Sequence, residues 1–267
     1  KLRVIPLKDN GELNMDEFKN ILSNKTKIVF LNHVSNALGI INPIKEIIDI
    51  SHKNGAIVLI DGAQSAAHFK IDLRKLNVDF FTASAHKLCG PTGVGFLYGK
   101  EKLLSKLDPL MGGGEMISDV TFSKTTYADL PHKFEAGTPN IAGVIAFGKA
   151  IDYLNEIGLD NIEQYEKSLL DYANSKLKEI DGLKIYGDSK NKTSVISFNI
   201  DGIHSYDIGS ILDKFGIAVR TGQHCAQPIM DHFGIDGTVR ASFSFINTIE
   251  EIDHFYDSLI KAKSMLS

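Results

Sequence analysis

The run Ile57-Val58-Leu59-Ile60 is apolar at every position and ends on Asp61-Gly62. A strand with no polar alternation has to be covered on both faces, which marks a central strand of a parallel sheet. The flanking segments agree. Ile28–Leu31 reads as a strand and Pro43–Lys53 as a helix, with Ile44, Ile47 and Ile48 on one face. Pro43 suits a first helical turn, and Gly55 the position just past the end. Ala56–Ile60, Val78–Thr82 and Val94–Tyr98 read as further strands. Strand and helix alternating at this spacing predict an α/β fold, a mostly parallel sheet covered by helices.

From Met111 to Pro139 the periodicity breaks around Gly112-Gly113-Gly114 and scattered threonines. A loop this long inside a compact domain is usually functional. Beyond it, helices are expected at Ile141–Ile157, Asn161–Ile180, Tyr206–Phe215 and Ile249–Met265. Short strands are expected at Leu183–Tyr186, Val195–Ile200 and Ile217–Arg220. This tail reads as a smaller α+β unit. The boundary is placed at Asp152, giving a large domain over 1–152 and a small C-terminal domain over 153–267.

Composition excludes several classes. The 29 basic and 33 acidic residues leave a net charge of −4, which argues against a nucleic-acid or anionic-membrane binder. No signal-peptide pattern or membrane-length apolar stretch is present, so a cytoplasmic location is expected. The two cysteines, Cys89 and Cys225, exclude a disulfide scaffold. The chain opens on Lys1-Leu2-Arg3-Val4-Ile5-Pro6, without methionine and already inside an apolar run, as a fragment would.

The candidates for chemistry lie where strands end. Sites in open α/β sheets form beyond the carboxyl ends of strands. Asp61 ends one strand there; a helix cap or turn is its plainer use. The next strand runs into Ser84-Ala85-His86-Lys87. A lysine at the mouth of an apolar sheet can form an imine with a carbonyl, although most loop lysines are simply solvated. Ser84 and His86 can donate to a phosphate. A lysine paired with an acid from the neighbouring strand is what pyridoxal phosphate requires. Gly90-Pro91-Thr92-Gly93-Val94-Gly95 matches neither the dinucleotide fingerprint nor the P-loop and reads as a tight turn. Cys225 sits in a polar, glycine-bearing stretch beside His224 and Arg220, where a reactive thiolate is possible. Cys89 is expected to pack. Neighbouring residues supply no metal-ligand spacing. Arg240 is a candidate clamp for a substrate carboxylate, unless it is a surface arginine.

Five motifs in order carry a resemblance: His33-Val34-Ser35-Asn36, Asp61-Gly62-Ala63-Gln64, Ser84-Ala85-His86-Lys87, Phe134 to Asn140, and Arg220 to Ala226. Together they are similar to those of SufS-type cysteine desulfurases, fold-type I pyridoxal-phosphate enzymes of the class V aminotransferase group. The resemblance implies that Lys87 forms the imine with the cofactor and moves the Cα proton. Asp61 would pair with the pyridinium nitrogen, Gln64 with the ring hydroxyl, and Ser84 and His86 with the phosphate. Thr138 would reach the phosphate held by the other subunit of a homodimer. Asn36 and Arg240 would hold the carboxylate of L-cysteine, and Cys225 would take its sulfur as a persulfide, releasing L-alanine. Sulfur would then pass to an acceptor protein of the SufE or SufU type, for iron–sulfur cluster assembly. Gly112–Thr126 resembles the hairpin near the active-site entrance of that group. The resemblance also implies a further N-terminal segment, with a Gly/Thr phosphate loop and a histidine stacked on the cofactor ring. The segment 1–267 alone is therefore expected not to turn over cysteine. A selenocysteine lyase would share Lys87, Asp61 and Arg240. A non-catalytic interaction surface is the reading from another class, and it predicts no cofactor on Lys87.

Overall fold

The computed structural model describes residues 1–267. The first part runs α1 (Met15–Ile21), β1 (Ile28–Asn32), α2 (Ile44–Lys53), β2 (Ile57–Asp61), α3 (Leu73–Leu76), β3 (Phe80–Ser84), β4 (Gly95–Gly99) and α4 (Glu101–Leu104). A hairpin follows, β5 (Ile117–Val120) and β6 (Thr125–Tyr127), then the long helices α5 (Ile141–Ile157) and α6 (Leu159–Leu177). The tail is β7 (Leu183–Tyr186), β8 (Val195–Ile200), α7 (Ser205–Lys214), β9 (Arg220–Gly222), α8 (Gln227–Phe233), β10 (Thr238–Ser242) and α9 (Ile249–Leu266).

The first sheet has the order β1-β2-β3-β4, with β1, β2 and β3 parallel and β4 antiparallel at the edge. Asn32 lies opposite Asp61, and Asp61 opposite Thr82, so the carboxyl ends of three strands align. The ladder continues one residue past the strands, His33 N–H donating to Asp61 O and Gly62 N–H to Thr82 O, both at 2.8 Å. Helix α2 covers this sheet through Ile44, Ile47 and Ile48, all buried. Each such side chain contributes about 2 kcal/mol by leaving water. Gly55, at φ +76°, turns the chain back into β2.

The third strand starts at Phe80, two residues later than the apolar run suggests. Asp79 is the reason. Its buried carboxylate accepts from Val58 N–H (2.8 Å) and Lys100 Nζ (2.7 Å) and meets His52 Nε2 (2.7 Å). That clamp locks the amino end of the sheet and makes Ser84 the last strand residue.

The tail forms a separate antiparallel sheet, order β7-β8-β10-β9. Helices α6, α7 and α9 bury Leu169, Leu177, Ile208, Leu212 and Leu259 against Ile196, Phe198 and Val239. The strand expected at Ile217–Arg220 is instead Arg220–Gly222. Gly216, at φ +77°, and Ile217 N–H bonded to Leu212 O close the end of α7, so Ile217 and its successors are spent leaving the helix. Short α1 and α8 carry too few apolar residues for their periodicity to show.

Two cores result. One is built on β1–β3, α2 and α5 and takes in Ile162 from the start of α6; the other begins with Leu169 of that same helix. A third cluster bridges them: Ala37, Leu38 and Ile40, just after β1, pack on Tyr186 and Met230. Thr193 N–H donates to Gly39 O (2.8 Å), Ile41 N–H to Asn191 O (2.9 Å), and Ser197 Oγ to Ala37 O. The loop carrying Asn36 is thereby fixed to the second sheet. No helix is long and apolar enough to cross a membrane.

Candidate active site

The first group of candidates stands on the aligned strand ends. Asp61 closes β2, and its Oδ1 accepts from Ala63 N–H at 2.8 Å, an Asx turn that fixes the carboxylate and leaves the other oxygen available. Gln64 follows, half-buried, immediately before a 3-10 turn over Ser65–Ala67. Ser84 ends the adjacent strand. A second 3-10 turn, Ala85–Lys87, sends Ala85 inward and leaves His86 and Lys87 exposed. Ser84 and His86 line a shallow cavity of about 530 Å³ with Gly93, Val94 and Gly95. A second cavity, of about 550 Å³, lies under the β5–β6 hairpin and holds none of the predicted residues.

Cys89 does not pack as expected. It is exposed, at φ +58°, while its neighbour Leu88 fills the core. The space beside it is closed, because a Cβ on Gly90 would meet Ala85 O at 2.9 Å and Phe147 at 3.0 Å. Partial burial nevertheless raises the pKa of the Cys89 thiol. Thr138 is exposed on the turn into α5, and no hydrogen bond joins it to the other candidates. The expected hairpin is present as β5 and β6, with Gly137 N–H donating to Gly114 O at 2.9 Å at its base.

The second group is tightly connected. Arg220 and Arg240 lie directly opposite one another in the antiparallel pair β9–β10. Like charges in that position repel. Arg240 Nη1 donates to Asn36 O at 2.8 Å, and Asn36 Nδ2 donates to His224 O at 2.6 Å. Arg220 Nη2 reaches Cys225 Sγ at 3.4 Å. His224 and Cys225 both have left-handed backbone, at φ +56° and +58°, so the loop turns sharply and the two side chains diverge. Cys225 faces out. His224 is buried, its Nε2 2.8 Å from Thr238 Oγ1.

Electrostatics follow from this geometry. Burial, then the Arg240 and Arg220 charges, pushes His224 down to about 4, so the ring is neutral near pH 7. The positive charge beside the Cys225 thiol therefore comes from Arg220. Arg240 is itself held below the usual guanidinium range by burial and by Arg220, and the Cys225 sulfur opposes that shift. Its Nε is buried without a partner. An unpaired buried donor on an arginine that faces a second arginine is a place for an anion. His33 is also buried and pushed to about 4, with its ring edge-on to Phe69 and Nδ1 unpartnered.

A parallel sheet with a lysine and an acid at its strand ends, joined to a small antiparallel sheet on which two arginines face each other, has the layout of a pyridoxal-phosphate transferase. The profile of the Aminotransferase class-V family matches residues 1–255, and the chain belongs to that family. It is 49% identical over 262 residues to a probable cysteine desulfurase of Halalkalibacterium halodurans, covering 98% of this chain and 64% of that protein. It is 45% identical over 267 residues to a cysteine desulfurase of Escherichia coli O8, covering 100% of this chain and 66% of the relative. Among solved structures, the Escherichia coli cysteine desulfurase CsdA in its S-sulfonic acid form superposes with TM-score 0.94 at 36% identity, covering 98% of this chain and 65% of the other. The apo cysteine desulfurase of Thermococcus onnurineus gives 0.93 at 39% identity, over 100% and 66%. The chain thus spans about two thirds of the length of these relatives.

Proposed function

We propose that the protein acts as a cysteine desulfurase, taking sulfur from L-cysteine onto Cys225 and releasing L-alanine. The observation that carries this reading is that Arg220 and Arg240 face each other, one beside an exposed thiol and the other with an unpaired buried Nε. The desulfurase names of the relatives support it.

The residues at the strand ends suit pyridoxal 5'-phosphate. Asp61 has an oxygen available to hold a ring N–H, Lys87 is an exposed amine with no competing ion pair, and Ser84 and His86 offer donors to a phosphate across one shallow cavity. Gln64 stands next to Asp61 for a ring hydroxyl, and Thr138 is exposed as a donor to a partner subunit in a dimer. When bound, the cofactor supplies an electron sink that weakens bonds at the substrate Cα.

Every other step falls to the chain. Arg240, steadied by Asn36 O, clamps the substrate carboxylate; Asn36 is held by His224 O and offers a further contact. Lys87, at the sheet mouth, moves the Cα proton. Arg220 Nη2 lies 3.4 Å from the Cys225 sulfur, and the thiolate form of a cysteine is the competent nucleophile. The thiolate attacks the substrate sulfur and an S–S bond forms as the substrate Cβ–S bond breaks; the electron pair goes to Cβ, which takes up a proton, and the carbon skeleton leaves as alanine. The enzyme thiol is converted to a persulfide with no external oxidant. The sharp turn at His224-Cys225 limits the reach of the sulfur, which favours a docking acceptor protein of the SufE or SufU type, supplying iron–sulfur assembly. The large unit would end and the small unit begin near Asp152, on α5.

Alanine release from L-cysteine by the full-length protein tests the reading, with L-selenocysteine and Cys225→Ala alongside. Cysteine turnover that requires Cys225 is the expected result. Turnover of selenocysteine alone would make the protein a lyase.

A further inference from the structure

Helix α6 buries one stripe on both cores, and Ile162, Glu166 and Leu169 lie along it. Ile162 belongs to the first core and Leu169 to the second. Glu166, between them, is 4% exposed. A carboxylate in an apolar stripe is costly unless its oxygens are satisfied. Here both are. Oε2 meets His68 Nδ1 at 2.6 Å and Ser194 Oγ at 3.2 Å, and Oε1 accepts from Phe245 N–H at 3.2 Å.

These partners come from the two halves of the proposed site. His68 caps the 3-10 turn that follows Asp61 and Gln64, and that turn is held to the strand end by Ala66 N–H on Gly62 O at 3.0 Å. Ser194 and Phe245 flank the other half. The one Ser194 hydroxyl proton is shared between Phe243 O at 2.6 Å and Glu166 Oε2 at 3.2 Å, and Phe243 N–H returns to Ser194 O at 2.8 Å. Phe243 lies three residues beyond Arg240, directly after β10. Phe245 then packs against the first core.

We propose that Glu166 is a positioning residue. Through His68 on one side and the Ser194–Phe245 strap on the other, it sets the spacing between the Asp61 strand end and the Arg240 carboxylate clamp. The proposal rests on the desulfurase reading. If the spacing is set here, loosening it weakens the hold on the substrate carboxylate and leaves the strand-end residues in place.

The test uses the full-length holoenzyme. Glu166→Ala is expected to raise KM for L-cysteine about 10-fold while kcat per cofactor-loaded site and the visible absorbance stay within about 2-fold. Glu166→Gln, which keeps an acceptor and a donor in the same place, is expected to restore KM to within about 3-fold of wild type. Combined with Arg240→Lys, Glu166→Ala should add little further, because both act on the same clamp. A Glu166→Ala enzyme that melts earlier but keeps its KM would overturn the proposal, as would full additivity with Arg240→Lys. Should that variant fail to fold, His68→Ala breaks the same link from the half-buried side and is held to the same criteria. A wild-type enzyme that releases no alanine would instead sink the desulfurase reading, so the two failures are distinct.

Discussion

At the carboxyl end of the parallel sheet, Asp61, Ser84, His86 and Lys87 are placed by backbone geometry and leave their reactive atoms open. Around Cys225 the reverse holds: Asn36, Arg220, His224, Thr238 and Arg240 are tied to one another or to the loop, the thiol faces out, and His224 Nδ1 and Arg240 Nε are buried without partners. Strand ends in register give precise positions without spending side chains, so the groups there stay available for a cofactor. The second region has to gather like charges and a sharply turned loop, and it needs side-chain bonds to hold them. Damage to the first region should therefore abolish chemistry without unfolding the protein, whereas damage to the second should register as binding and stability.

The largest effect should come from the open region. Lys87→Ala in the full-length protein is expected to lose the visible cofactor band and lower alanine release by at least about 10,000-fold, at unchanged thermal stability. A band that persists would detach Lys87 from the cofactor and collapse the contrast. Next is the boundary case. Cys225→Ala should keep the band and lower cysteine turnover about 1,000-fold, because the thiol lies outside the strand-end group. Selenocysteine turnover in that variant measures how far the thiol is needed when the leaving atom is more labile.

The closed region should show in pH dependence. His224 and His33 are each held near 4 against an ordinary 6.5, so the folded state favours the neutral rings. Their contribution is fully present above pH 6.5 and is lost as pH falls from 6.5 towards 4, where the unfolded chain takes up protons that the fold refuses. The loss amounts to up to about 3 kcal/mol per histidine. Urea unfolding across that window measures it, and His224→Gln should remove about half of the slope; an unchanged slope would mean the ring is not excluded from protonation. The smallest effect is on binding alone. Arg240→Lys keeps the charge but loses the fork, and KM for cysteine should rise about 10-fold with kcat nearly unchanged.

The same contrast explains what could be read from the sequence. Ile57–Ile60 and the helix over Ile44–Lys53 carry strong periodic signals, and their strand-end candidates follow by position. The long helices, β7 and β8 are equally legible. Charge pairings between distant segments were not. Asp79 shortens β3 through partners on α2, on β2 and at the start of α4. Arg220 comes to face Arg240 because Gly216 and Ile217 delay the strand. Cys89 has an apolar residue on one side and a glycine on the other, and its left-handed φ turns it outward. Glu166 left one trace, a charge inside an apolar stripe, but its partners lie up to 98 residues away.

The central claim is that Cys225, and not Cys89, which is also exposed, receives the sulfur. A single turnover of L-cysteine by the full-length holoenzyme, followed by alkylation and peptide mass mapping, tests it directly. The expected result is one alanine released per extra sulfur atom on the Cys225 peptide, with Cys89 unmodified. Sulfur on Cys89, or alanine released with no sulfur on Cys225, would contradict it.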